Sequence, residues 1–174
     1  MLSIQSFNPS SRVLMGPGPS NVYPNVLSAL SKKTLGHLDP EFLKMMDEIK
    51  VMLQYVMQTN NRLTFVVSAP ASAAMEASFV NILEPGDKVI VCKNGVFGNR
   101  MLENALRCGA EPIIVEDKWG EPVDVEKVAN ALRENNNVKA VALVHAETST
   151  GVLSDVASIT QLAKQYGALS IVDA

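Results

Sequence analysis

The 174-residue sequence predicts an α/β fold, with helices covering both faces of a mainly parallel sheet in a three-layer α/β/α arrangement. Two observations lead to this class. Short apolar runs rich in Val and Ile alternate with longer segments of helical periodicity, and turn signals such as Glu84-Pro85-Gly86-Asp87 separate them. Because strand–helix–strand crossovers are right-handed, this alternation predicts parallel strands.

The N-terminal part of the chain contains helical signals and no alternation. Two X-Pro steps within Arg12–Ser20 disfavour helix there, so residues 1–24 are expected to form an arm ahead of one domain, 25–174. A short helix is predicted over Asn25–Lys32. Asp39 as N-cap and Pro40 at the first helical position then begin the helix Glu41–Gln58, whose methionines are expected to pack in a core.

From residue 63 onwards the pattern alternates between strand and helix. The five predicted strands are Leu63–Val67, Lys88–Cys92, Pro112–Val115, Val138–Val144 and Ala168–Val172. The four predicted helices are Ala71–Leu83, Asn99–Cys108, a segment capped by Asp124 that runs through Arg133, and Asp155–Tyr166. Val138–Val144 is apolar without a break, which is typical of a strand buried on both faces.

Composition and charge exclude several classes of function. The formal net charge is −3 with both signs dispersed, so neither a nucleic-acid surface nor a polybasic membrane patch is expected. The two cysteines are expected to be reduced core thiols, and no metal site is predicted. No apolar run is long enough to span a bilayer and no signal-peptide pattern begins the chain, which predicts a cytoplasmic location.

Unusual residues cluster where four of the predicted strands end. They are Ser68–Ser72 after the first strand, Asn94-Gly95-Val96-Phe97 after the second, His145–Gly151 after the fourth, and Asp173 at the tip of the fifth. Ligands of open parallel sheets bind at the carboxyl ends of the strands, so these residues are expected to share one site. The Ser68–Ser72 turn opens a helix, whose free N–H groups and dipole suit a phosphate. An ordinary turn that binds nothing remains the alternative, because no glycine-rich fingerprint is present.

Single residues in this set allow two interpretations each. Asp173 ends an apolar strand, so it either has a cationic or hydrogen-bonding partner or lies at a solvent-exposed edge. Phe97 suits a core position as well as a stacking position, and His145 suits a structural hydrogen bond as well as a base. His37, beside Asp39, either lines a pocket or caps a turn.

Several motifs in a fixed order resemble the class V aminotransferases, pyridoxal-phosphate enzymes of fold type I, and in particular their alanine–glyoxylate and serine–pyruvate branch. The segments are L-M-G-P-G-P-S-N-V, G-H-L-D-P-E-F, A-M-E-A-S-F-V-N-I-L-E-P-G-D, N-G-V-F-G-N-R, H-A-E-T-S-T-G-V and I-V-D-A. They run from about Leu14 to the last residue, so the resemblance covers nearly the whole chain.

The resemblance implies roles for individual residues. Ala71 and Ser72 match the turn that holds the cofactor phosphate, and Phe97 matches the aromatic residue that stacks on the pyridine ring. Thr148 matches the hydroxyl near the ring oxygen. Asp173 matches the catalytic acid that pairs with the pyridinium nitrogen. The resemblance also implies that Gly16, Gly18 and His37 belong to the substrate pocket, and these form a separate set from the cofactor residues.

The sequence departs from the family pattern in three respects. Ala69 and Pro70 stand in a turn that is usually glycine-rich, and Phe97 stands where many members carry tryptophan. The Schiff-base lysine and the arginine that binds the substrate carboxylate are expected beyond Ala174, and neither Lys93 nor Lys139 occupies the family's lysine position. We therefore expect the chain to be the N-terminal part of a pyridoxal-phosphate-binding large domain, as found in pyridoxal-phosphate-dependent transferases. Because this domain would be truncated, the chain is expected to be inactive by itself.

The resemblance implies that the full protein is a pyridoxal 5′-phosphate-dependent aminotransferase. It would move an amino group from a small amino acid, alanine or serine, to the 2-oxo acid glyoxylate or pyruvate. A homodimer is implied as well. Two alternatives stay open: a catalytically inactive α/β fragment or binding domain, and a desulfurase or lyase of the same class.

Overall fold

The computed structural model describes residues 6–174 and divides them into two compact units, one ending at Val66 and one spanning Val67–Ala174. The first five residues of the predicted arm lie outside the described residues. The domain boundary expected after residue 24 stays a prediction.

The N-terminal unit contains two helices, α1 (Pro24–Leu30) and α2 (Pro40–Val56). The predicted cap of α2 is confirmed, because the Asp39 carboxylate accepts a hydrogen bond from the Glu41 N–H at 2.8 Å. None of the residues of α2 is buried, so the prediction that its methionines pack in a core is wrong for the described residues. Helical spacing identifies an apolar face but carries no information about what covers it.

The strand predicted over residues 63–67 is not formed. Its apolar side chains are exposed, with Leu63 at 87% and Phe65 at 67% of their maximal exposure. A strand is defined by hydrogen bonds to a neighbour, and no strand among residues 6–174 pairs with this segment. Apolar composition alone therefore overpredicted regular structure at this place.

The C-terminal unit supplies the remaining four helices and six strands of the described residues. In chain order they are α3 (Ala71–Ile82), β1 (Lys88–Lys93), α4 (Val96–Arg107), β2 (Glu111–Glu116), α5 (Val125–Glu134), β3 (Val138–Val144), β4 (Ala146–Glu147), β5 (Val152–Leu153), α6 (Val156–Gln165) and β6 (Leu169–Asp173). The predictions for this region are confirmed to within two residues except at α4, which begins three residues early. The short β4–β5 antiparallel pair within and after the predicted polar loop was not predicted.

Four strands form a parallel sheet in the order β2-β1-β3-β6. The register places Val91 of β1 beside Ala142 of β3, and Ala142 beside Ile171 of β6. Because the strands are parallel, β1, β3 and β6 all end at one edge of the sheet. The segments that follow β1 and β3 therefore start from the same edge that Asp173 occupies.

Each face of the sheet is covered by a helical layer with its own core. Alternate residues of β1 point to opposite faces, so Ile90 packs with α5 and α6 whereas Val91 packs with α3 and α4. β3 contributes fully buried residues to both cores, as its unbroken apolar run predicts. The predicted three-layer α/β/α class is confirmed.

Two features of residues 6–174 bear on function. None of their helices combines the length and apolar composition that crossing a membrane requires. In the same residues, no three His, Cys, Asp or Glu side chains are grouped to hold a metal ion. The cytoplasmic location stays a prediction.

Candidate active site

Helix α4 begins at Val96, so Phe97 lies in its first turn and not in the predicted loop. The N-cap residue, Gly95, makes no side-chain capping bond. The first N–H groups are instead satisfied by the polar loop after β3: Val96 N donates to Ser149 Oγ at 3.0 Å, and Phe97 N donates to Glu147 Oε2 at 3.1 Å. The helix starts early because a distant segment caps it, which no local signal in the sequence reveals.

The side chain of Glu147 is fully buried at this helix terminus. Besides Phe97, the Gly98 N–H donates to its Oε2 at 3.2 Å, and the Ser149 hydroxyl donates to its Oε1 at 2.6 Å. Burying a carboxylate is costly unless it is hydrogen-bonded, and the positive end of the helix dipole favours an anion there. Glu147 thereby ties the loop after β3 to the start of α4.

Gly95 is required by this close approach. A Cβ atom at Gly95 would lie 2.3 Å from Cγ and 2.4 Å from Cδ of Glu147, which is far inside van der Waals contact. The backbone of Gly95 is extended, so space and not backbone strain demands glycine at this position.

Helix α3 presents a first turn without a side-chain cap. Pro70 occupies the N-cap position, and Ala71 and Ser72 are the first helical residues, as the sequence predicted. The first N–H groups of any helix have no partner within it, so this terminus carries donors and partial positive charge. The Ser72 hydroxyl accepts a hydrogen bond from Nη1 of Arg100 at 2.6 Å.

These elements meet at a cavity of about 220 Å³. Its lining consists of Ala71, Ser72, Met75, Phe97, Val144, Ala146, Thr148, Asp173 and Ala174. All five residues predicted to bind the cofactor, Ala71, Ser72, Phe97, Thr148 and Asp173, are among them. The predicted convergence of chain-distant segments on one site is therefore present, whereas the individual roles of the residues stay predictions.

Asp173 is partly buried at the end of β6, and its pKa is raised above the ordinary value of 3.8. Burial is the largest cause, and the neighbouring Glu147 carboxylate adds to it, while the Arg100 guanidinium acts in the opposite direction. A cationic group in the cavity would oppose the effects of burial and of Glu147. The electrostatics therefore suit a ligand that brings positive charge to Asp173.

The aromatic side chain of Phe97 satisfies both interpretations that the sequence allowed. Its ring is half-buried against the core formed by α3, α4 and the sheet, and it also lines the cavity. The cavity thus offers an aromatic surface, two hydroxyls, a helix N-terminus and a carboxylate. This set suits a small aromatic ligand that carries an anionic group and a protonated ring nitrogen.

The three residues predicted to bind substrate lie in the N-terminal unit. Gly16 and Gly18 are in the segment before α1, and His37 is in the loop before α2, all of them exposed. The Asn21 side chain closes the glycine segment, accepting from Leu14 N at 2.8 Å and donating to Arg12 O at 2.7 Å. The proposed contact of Gly16, Gly18 and His37 with substrate stays a prediction.

Sequence reasoning missed Glu147, Ser149 and Arg100 as parts of this arrangement. All three lie inside motifs that were recognised, but their contacts join residues far apart in the chain. Phe97 and Glu147 are separated by 50 positions, and Ser72 and Arg100 by 28. The one available signal was a lone acidic residue after a buried strand, which is uninformative without the helix that it caps.

Replacing Glu147 by Gln should destabilise the protein by about 1–3 kcal/mol. Either orientation of the new amide turns an NH₂ group towards backbone N–H donors, those of Phe97 and Gly98 or that of Ser149. Urea unfolding of the complete protein measures the change. The matched control is Glu121→Gln at an exposed side chain, for which we expect less than about 0.5 kcal/mol. Equal midpoints for the two variants would show that Glu147 does not anchor α4.

Replacing Asp173 by Asn should stabilise the cofactor-free protein at neutral pH. The pKa of Asp173 in the folded protein is raised above 3.8, so ionisation of Asp173 destabilises the fold. This loss of stability develops as pH rises from 3.8 through the raised pKa, and it persists at higher pH. The melting temperature of D173N should exceed that of the wild type at pH 7, and the gap should close as pH falls below 3.8.

Asp155 is the control of opposite sign for this experiment. Hydrogen bonds from the hydroxyl and the N–H of Ser158 lower its pKa, so its charge contributes stability that is lost as pH falls. D155N should therefore melt at or below the wild-type temperature at pH 7. A cofactor-free D173N protein that melts lower than wild type would contradict the electrostatic account of the cavity.

Comparison with known proteins identifies relatives of this chain. Alanine–glyoxylate aminotransferase from Rattus norvegicus is 43% identical over 162 residues, which cover 93% of this chain and 39% of the rat protein. The chain thus spans about two fifths of the length of the curated relatives it matches.

Solved structures give the same result at the level of the fold. Alanine–glyoxylate aminotransferase from Nostoc sp. superposes with a TM-score of 0.92 at 44% identity, covering 98% of this chain and 45% of that chain. Ureidoglycine–glyoxylate aminotransferase from Bacillus subtilis also has a TM-score of 0.92, at 34% identity, covering 97% of this chain and 43% of that one. Residues 13–174 match the family described as aminotransferase class V. The chain therefore belongs to the class V aminotransferase family.

Proposed function

We propose that the protein carrying this chain is a pyridoxal 5′-phosphate-dependent aminotransferase that transfers the amino group of a small amino acid to glyoxylate or pyruvate. The observation that carries the proposal is the single cavity lined by Ala71, Ser72, Phe97, Thr148 and Asp173. Family membership supports the reaction class, and the chemistry of the lining supports the cofactor.

The phosphate of the cofactor would be held at the start of α3. N–H groups of the first turn and the Ser72 hydroxyl can donate to an ester oxygen, and the helix dipole favours its charge. Ala71 has a small side chain, which permits close approach of the anion to the backbone. Pro70 provides no N–H, so this turn has one donor fewer than a glycine-rich turn.

The ring of the cofactor would be held by Phe97 and Thr148. Phe97 presents an aromatic surface for stacking, and the remote cap from Glu147 fixes the first helical turn that carries it. Thr148 directly follows Glu147, the last residue of β4, and lines the cavity, so its hydroxyl would serve as a hydrogen-bonding group for a ring oxygen. Both contacts therefore depend on the same buried carboxylate.

Asp173 would hold a proton on the ring nitrogen. Bound pyridoxal phosphate supplies an electron sink for bond cleavage at the Cα atom of an amino acid, and the sink is effective when its ring nitrogen is protonated. Burial and Glu147 disfavour the charge of Asp173 in the cavity alone, and a cationic nitrogen opposite it would restore that charge. The carboxylate is thereby matched to a protonated heterocycle.

The choice of glyoxylate as acceptor rests on the relatives. The rat, Nostoc and Bacillus proteins all carry glyoxylate in their names, whereas the amino donor in the names differs between alanine and ureidoglycine. We therefore propose glyoxylate as the first acceptor to test, with alanine or serine as donor. Gly16, Gly18 and His37 remain our proposed contacts for these substrates.

No lysine lines the cavity among the described residues. We propose that the residues of this chain bind and orient the cofactor and tune its charge, and that the lysine that bonds to it covalently lies elsewhere in the complete protein. A complete protein of this kind would bind the cofactor and turn over substrate, whereas an inactive binding domain would bind the cofactor without turnover.

The complete protein should convert alanine and glyoxylate to pyruvate and glycine when pyridoxal phosphate is present. Coupled detection of pyruvate and chromatographic detection of glycine measure the two products, with serine and pyruvate as the second donor and acceptor. Sulfide release from cysteine without amino transfer would favour a desulfurase or lyase. Cofactor binding with neither reaction would favour the inactive alternative, and both results contradict the proposal.

We also propose that the protein is a homodimer. The support is the exposed apolar surface of α2, on which Met52 is 58% and Tyr55 is 77% exposed, together with the homodimer that the resemblance to the family implies. Light scattering of the complete protein should give twice the mass of one chain. A monomeric mass at micromolar concentration would contradict this proposal.

A further inference from the structure

Arg100 on α4 lies beside the cavity but is not among its lining residues. Its guanidinium carbon lies 5.2 Å from the centroid of the Phe97 ring, three positions earlier on the same helix. Its Nη1 donates to Ser72 Oγ at 2.6 Å. One side chain therefore contacts both the residue proposed to bind the phosphate and the residue proposed to stack on the ring.

The contact with Arg100 constrains what the Ser72 hydroxyl can do. A hydroxyl has one proton to donate and two lone pairs that accept. Arg100 occupies one lone pair, and among the described residues the Ser72 hydroxyl donates to no acceptor. The proton is therefore available to a ligand in the cavity, and the donation from a cation polarises the O–H bond.

The turn that begins α3 needs such assistance. Pro70 has no N–H and caps the helix without a side-chain hydrogen bond, and Ala71 has no polar side chain. Ser72 lines the cavity, and its hydroxyl is thus the side chain of this first turn that can donate a hydrogen bond there. An anion at this terminus would depend on that hydroxyl more than it would in a glycine-rich turn, which has one backbone donor more.

We propose that Arg100 is a positioning residue for the phosphate ester: it holds the Ser72 hydroxyl through one lone pair so that the Ser72 proton is directed to the anion, and this donor compensates for the N–H that Pro70 lacks. The inference rests on the proposed function, because it concerns the same site. It adds a residue that acts through Ser72 and that does not itself line the cavity.

The pKa of Asp173 indicates that the positive charge of the Arg100 guanidinium acts within the site. Arg100 lowers the pKa of Asp173, in opposition to burial and to Glu147. Because the Phe97 ring lies under the guanidinium, the position of Arg100 is held from two sides.

The test compares pyridoxal 5′-phosphate with pyridoxal, which lacks the phosphate, by equilibrium dialysis with the complete protein. Arg100→Ala should weaken binding of pyridoxal phosphate roughly tenfold to a hundredfold, the range expected for a hydrogen bond to a charged group, and should weaken binding of pyridoxal much less. Arg100→Lys retains the charge without the planar fork and should recover part of the loss. Arg107→Ala, at an exposed arginine of the same helix, is the matched control and should have no effect.

A double-mutant cycle then decides whether Arg100 acts through Ser72. In a Ser72→Ala background, Arg100→Ala should cause little further loss of affinity, because the hydroxyl that it positions is gone. A full additional loss in that background would overturn the proposal, and so would equal weakening of pyridoxal and pyridoxal phosphate. Melting curves of each variant identify any that fail to fold, and Arg100→Lys then replaces Arg100→Ala in the cycle.

Inorganic phosphate separates failure of this inference from failure of the proposed function. If the wild type binds pyridoxal phosphate but Arg100→Ala binds it equally well, the inference fails and the function stands. If the wild type binds no pyridoxal phosphate, the proposed function fails, and stabilisation of the protein by inorganic phosphate becomes the measure. Phosphate should then raise the melting temperature of the wild type and not of Arg100→Ala, and an equal rise, or none, overturns the inference.

Discussion

A single buried carboxylate, that of Glu147, organises the site. Its two oxygens accept hydrogen bonds from the first turn of α4 and from Ser149, so it joins the loop after β3 to the helix after β1. A buried carboxylate without partners would be strongly unfavourable, so burial of Glu147 requires that its hydrogen bonds to α4 and to Ser149 form together. Because Phe97 lies on the capped turn and Thr148 directly follows Glu147, both are positioned by the same interaction. The Glu147 side chain lies so close to the backbone of residue 95 that only glycine fits there.

The parallel sheet brings the charges of the site together. β1, β3 and β6 end at one edge, and the N-termini of α3 and α4 contribute partial positive charge, which Arg100 increases. The Glu147 carboxylate caps the N-terminus of α4, whereas the terminus of α3 has no side-chain cap. Asp173 is left with a charge that burial disfavours. The cavity therefore combines partial positive charge at α3 with a carboxylate at Asp173, which suits a ligand that carries both an anionic and a cationic group.

Errors in the sequence predictions share a physical origin. The apolar run at residues 63–67 has strand composition, yet a strand requires hydrogen bonds to a neighbour, and the described residues provide none. The apolar face of α2 follows from helical spacing, yet its burial depends on a surface that the spacing does not specify. The late predicted start of α4 has the same cause, since its cap comes from Glu147. In each case a local pattern was correct about side-chain chemistry and silent about the partner.

The amino-acid sequence by itself determined the α/β class, the order of the helices and of the four parallel strands after residue 83, and the membership of Asp173, Thr148 and the Ser72 turn in one site. These follow from local periodicity and from the rule that parallel strands end at a common edge, neither of which needs coordinates. Only the tertiary structure decided that Glu147 caps α4 and that Arg100 reaches Ser72. Those contacts join residues 49–50 and 28 positions apart, and they depend on how helices pack on the sheet, which no pattern within one segment encodes.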